Sequence, residues 1–111
     1  WLVIVLKRHV EALHALTFEE FAELAAIQAR ATQLLHEVLD CEKEYVMCLA
    51  EAEHFHHIHV HVVPKPRDLP EELKGAKIFA LLGEKVADDA IPPEEVKAFC
   101  EELRERFAEP A

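Results

Sequence analysis

The chain has 111 residues, 51% of them hydrophobic and 31% charged, a balance that predicts one globular domain spanning 1–111 and excludes a disordered one. It holds no Ser and no Asn, and its only glycines are Gly75 and Gly83; a serine nucleophile, an N-glycosylation acceptor, a P-loop and a dinucleotide fingerprint are therefore excluded. A net charge of −10 argues against binding to a nucleic-acid polymer, which needs clustered cations.

Trp1-Leu-Val-Ile-Val-Leu6 reads as a strand buried on both faces. It is too short to span a bilayer, so no membrane partner is expected. The chain starts without Met and shows no signal peptide, and the expectation is an internal fragment or a missing start. Lys7, Arg8 and His9 follow at the strand's end. Thr17 with Glu20 three residues on forms a capping box, flanked by Leu16 and Phe21 as a hydrophobic staple. Phe21, Leu24, Ala25, Gln28, Ala31, Leu35 and Val38 keep helical spacing, and the helix is predicted over Phe18–Leu39 with this stripe as its core face.

Glu44–Ala50 reads as a second strand and His57–Val63 as a third, ended by Pro64 and Pro66. These two are placed as antiparallel neighbours. The stretch from Pro64 to Pro92 is irregular, with a short apolar segment at Lys77–Leu82. A second helix starts at Pro92-Pro93, with Pro93 as its first residue, and presents Val96, Phe99, Cys100, Leu103 and Phe107 on one face. Cys41, Cys48 and Cys100 are odd in number and lack a CxxC spacing, which predicts reduced, packed thiols in a cytoplasmic protein.

The segment richest in chemistry is His57-Ile-His-Val-His-Val-Val63. Strand alternation puts His57, His59 and His61 on one face, about 6.6–6.8 Å apart, and Ile58, Val60 and Val62 on the other. Imidazole suits nucleophilic and proton-transfer work near neutral pH. A backbone carbonyl holding one ring N–H fixes the tautomer and leaves the other nitrogen free to attack. Flanking imidazoles then stabilise oxyanions or a leaving group. Two other readings stay open. One is a solvent-facing row without a role. The other is a metal site that combines two of these histidines with His9, His54, His56 or Cys48; the whole row spans about 13 Å, too far for one ion.

This segment resembles the signature of the histidine-triad (HIT) superfamily, His-φ-His-φ-His-φ-φ with φ apolar, at all seven positions. Val62-Val-Pro-Lys65 is similar to the family's strand exit, Val3–Val10 to its preceding strand and basic pair, and Leu16–Glu20 to the start of its long helix. The resemblance covers residues 1 to 67. It implies an α+β fold, with an antiparallel sheet, one long helix packed on it and a C-terminal helix. It also implies a homodimer that needs no cofactor or metal and acts on a purine nucleotide or nucleotide conjugate. The implied reaction is hydrolysis or transfer at the α-phosphate of a phosphoramidate or phosphoanhydride, through a nucleotidyl-histidine on His59. By the same resemblance His57 positions His59 through its carbonyl, His61 contacts phosphate oxygens and His9 supports the site. Lys65 is the basic residue at the exit. The chain departs from the family in having Leu6 before the basic pair and Glu53-His-Phe-His56 before the triad. His54 and His56 are thus expected to bind substrate, together with Lys65. The family's N-terminal strand and helix, and a zinc-binding cysteine pair seen in some relatives, have no counterpart. A noncatalytic nucleotide-binding dimer is the alternative function, and a metal-binding protein using the row is another.

Overall fold

In a computed structural model, which describes residues 1–82 and 90–109, the first β-branched run forms β1 (Leu2–Val5). The capping box then starts α1 (Phe18–Leu39). β2 (Lys43–Met47) and β3 (His59–Lys65) follow, and α2 (Pro93–Ala108) comes last. The described residues divide into two compact units, Trp1–Arg67 and Asp68–Ala111, an α+β arrangement.

In the first unit the sheet is antiparallel in the order β1-β3-β2, so β3 is central. Its register sets Val3 opposite His61 and Val5 opposite His59 on one side, and Met47 opposite His61 on the other. Residues directly opposite share a face. One face therefore carries His59, His61, Val3, Val5 and Met47. The other carries Val60, Val62, Leu2, Ile4 and Val46. α1 packs against all three strands. Val60 and Val62 are buried, as are Ala31, Leu34 and Leu35 of the helix.

α1 has the predicted bounds, and the reason is visible at its start. Thr17 Oγ1 accepts the Glu20 N–H at 3.1 Å, and Glu20 Oε1 accepts the Thr17 N–H at 2.8 Å. The predicted core stripe holds only in the second half of the helix. Phe21 is 43% exposed and Ala25 is exposed, while Leu24, Gln28 and Val38 are half-buried. The first half leaves a cavity of about 330 Å³ between helix and sheet, lined by Ile4, Leu6, Leu16, Leu24, Ile27, Ile58 and Val60, with His59 also on its wall.

β3 does not stop at Pro64, as the sequence predicts, but runs two residues later at both ends. The Lys65 carbonyl accepts the Glu42 N–H at 2.9 Å. Amide edges alternate along a strand, so Pro64 turns its edge the other way, beyond the last β1 pair, Leu2–Val62. No ladder bond is lost there, and the proline is tolerated.

In the second unit, 3₁₀ helices at Glu71–Leu73 and Gly75–Leu82 replace part of the expected irregular stretch. Part of that stretch, residues 83–89, lies outside the described residues. Gly75 joins the two with φ +68°, a conformation that costs glycine little. α2 begins at Pro93, as predicted. Of its predicted apolar face Leu103 is buried and Phe99 half-buried, but Val96, Cys100 and Phe107 are exposed. No helix among the described residues is long and apolar enough to cross a membrane.

Candidate active site

His59 opens β3, and the bend at His57 just before it sets the geometry of the row. His59 Nδ1 donates to the carbonyl of His57 at 2.9 Å. Donation to that carbonyl puts the proton on Nδ1, so the neutral ring keeps its lone pair on Nε2. The local sequence supplies its own tautomer lock, two residues back along the chain.

His57 is itself anchored. Its Nε2 donates to the Leu6 carbonyl at 2.6 Å, and its Nδ1 accepts the Val10 N–H at 3.1 Å. The Val10 carbonyl accepts the Ile58 N–H at 2.8 Å and also lies 3.1 Å from His57 Nδ1. The segment from Leu6 to Val10 thus cradles His57. Arg8 ties that segment to the start of α1, donating to Glu20 through Nε and Nη2 at 3.1 and 2.7 Å and to the Ala15 carbonyl at 3.1 Å. The Arg8 guanidinium, helped by the Thr17 N–H, holds the Glu20 carboxyl down to a pKa of about 2.

His61 lies beside His59, ring centroids 5.0 Å apart in an edge-to-face arrangement. Trp1 donates its indole N–H to His61 Nδ1 at 3.0 Å, which places the proton of the neutral ring on Nε2. Burial, and then the proximity of His59, push the His61 pKa below its ordinary value. His59 and His61 therefore carry opposite tautomers in their neutral forms: one has its lone pair at Nε2, the other its N–H.

His9 lies past the end of β1, not within the strand, and its ring stacks on His57 at 5.2 Å. Its Nε2 is 3.4 Å from Glu11. The other expected residues are placed differently. His54 and His56 are exposed in the segment around the turn that closes through Phe55 N–H and the Ala52 carbonyl at 2.9 Å. His54 has φ +68° and lies 3.6 Å from Glu53. Neither hydrogen-bonds a triad ring among the described residues. Lys65 is buried, and its ammonium is held by the Glu42 carboxylate. It stands four residues beyond His61, about 13 Å along the strand, because β3 continues through Pro64 and carries it away.

Three participants escape a reading of the sequence. Leu6 and Val10 act through backbone atoms, which leave no mark on side-chain pattern. Trp1 has a signal: it is two residues before Val3, so alternation puts it on the face of Val3 and His61.

No family model matches the chain, and no curated protein matches it.

Proposed function

We propose that the protein hydrolyses or transfers nucleotides at the α-phosphate of a phosphoramidate or phosphoanhydride, with His59 as nucleophile. The observation that carries this reading is the His59 Nδ1 bond to the His57 carbonyl at 2.9 Å. It leaves Nε2 with a lone pair, as attack on phosphorus requires.

In the proposed reaction the Nε2 lone pair forms a bond to the α-phosphorus. The bond to the leaving nitrogen or oxygen breaks with its electron pair, and that atom takes a proton from water. Water then attacks the nucleotidyl-His59, loses a proton to solvent and releases the nucleoside monophosphate. His61 contributes its Nε2–H to a phosphate oxygen. His57 acts as a positioning residue through its carbonyl, and His9 supports it by stacking. The substrate is a purine nucleotide or nucleotide conjugate, and no cofactor enters these steps. The proposal includes a cytoplasmic homodimer whose contact uses exposed apolar residues such as Phe18, 83% accessible, and Val46. Light scattering at micromolar protein tests this; a monomer mass removes the dimer from the reading.

The direct test is brief exposure to an adenosine phosphoramidate, followed by quenching and mass spectrometry. An acid-labile adenylyl adduct on His59, with turnover abolished in His59→Ala, is the expected result. Full activity in His59→Ala ends the assignment. Nucleotide binding without turnover would identify a noncatalytic binding protein instead.

A further inference from the structure

The C-terminal end of α1 carries a second cluster, on residues outside the histidine row. Asp40 takes the left-handed conformation (φ 51°) and donates its N–H to the His36 carbonyl at 2.9 Å. The chain reverses there, returning Cys41 beneath the last helical turn, and β2 begins two residues later. His36 Nδ1 donates to the Cys41 carbonyl at 3.0 Å, which puts the lone pair of the neutral imidazole on Nε2. Cys41 Sγ lies 3.5 Å from Glu44 Oε2. One ligand atom from each of His36, Cys41 and Glu44 lies within 4.8 Å of the others, with Cys41 buried, Glu44 half-buried and His36 exposed.

We propose that His36, Cys41 and Glu44 form a binding site for a divalent transition-metal ion, zinc fitting the donor set best. Thiolate, imidazole and carboxylate are all zinc ligands, and the combination of soft and borderline donors disfavours magnesium and calcium. In a tetrahedral zinc centre ligand atoms sit about 3.4–3.7 Å apart, as the metal–ligand bond lengths require. The sulfur–carboxylate pair already has this spacing. The exposed His36 ring has room to close the remaining gap, and water completes the fourth position on its side. On binding, the Cys41 thiol gives its proton to solvent and the sulfur takes the metal. Thiolate and carboxylate together then neutralise the dication. The ion would join the end of α1 to the start of β2, making this a structural site. It does not rest on the proposed chemistry at His59.

Cobalt(II) is the probe, because thiolate ligation gives a sulfur-to-cobalt charge-transfer absorption. Titration of the full chain is expected to saturate this band at one equivalent per chain, and zinc to displace it. Cys41→Ala should abolish the band, whereas the double replacement of His59 and His61 by Ala should leave it in place. His36→Gln and Glu44→Gln alter more accessible side chains and decide the matter if Cys41→Ala does not fold. Each should weaken binding at least about tenfold, the lower end of what even an outer-shell change costs. Zinc should also raise the unfolding midpoint of the unaltered chain. The proposal is overturned if no band forms, if the band survives in Cys41→Ala, if it disappears in the His59 and His61 double variant, or if both Gln variants titrate like the unaltered chain.

Discussion

Trp1 donates its indole N–H to His61 Nδ1 at 3.0 Å, with the two rings edge to face at a centroid distance of 5.8 Å. The bond selects the tautomer that offers an N–H from the far side of the ring. Trp1→Phe keeps an aromatic body but removes the donor. It should lower turnover by less than His61→Ala, for which loss of an oxyanion donor typically costs about 10²–10³-fold. Nitrogen NMR of the imidazoles checks the cause: His61 should carry its proton on Nε2 in the unaltered chain and lose that preference in Trp1→Phe.

The lowered pKa of His61 gives a second expectation. In the unfolded chain the ring protonates near its ordinary value of 6.5, whereas burial and His59 delay protonation in the fold to lower pH. The unfolded state therefore binds more protons between the two values. Stability is intact above pH 6.5 and declines as the pH falls through the folded value. Urea midpoints measured above and below pH 6.5 should show this decline, and His61→Gln should reduce it.

His57 and His59 should separate stability from chemistry. His57→Ala strips the buried Val10 N–H of its acceptor and the Leu6 carbonyl of its donor. An unsatisfied buried polar group costs about 1–3 kcal/mol, so this variant should lose both stability and turnover. His59→Ala leaves the Leu6–Val10 cradle intact. It should unfold at nearly the same denaturant concentration while losing turnover.

The helix start yields a fourth test. Thr17→Ala removes an N-cap and should cost about 1 kcal/mol, read from the shift of the denaturant midpoint. Glu20 has a carboxyl held down to about 2, so its contribution is full above the ordinary value of 4.5 and is lost as the pH falls toward 2. Glu20→Gln should be less stable than the unaltered chain at neutral pH, and the gap should close on acidification. Because Glu20 grips Arg8, the same variant should loosen the Leu6–Val10 cradle, seen as faster hydrogen exchange at Val10.

What could be read from the residues alone followed the range of the interactions. α1 was legible to its ends because Thr17 and Glu20 settle its start within one turn of chain. The shared face of His59 and His61 was legible because alternation is a property of the strand itself. The extension of β3 through Pro64 was hidden, since it depends on where the partner β1 ends. The distance of Lys65 from His61 has the same origin, and its ion pair is made with Glu42, a partner 23 residues away. The convergence of His36, Cys41 and Glu44 was hidden by a single backbone angle at Asp40. The exposure of Phe21 has a different source: spacing marks a face as apolar but says nothing of what covers it.

β3 assigns adjacent residues to opposite duties, Val60 and Val62 to the interior and His59 and His61 to the other face. A slip of one residue in its pairing would exchange the two sets, driving imidazoles into the apolar layer and turning valines outward. Both neighbouring strands hold it against such a slip. A well-folded but mispaired population is therefore disfavoured, and inactive material should also be misfolded material. Preparations that differ in yield or history should then share one specific activity once normalised to the correctly folded fraction.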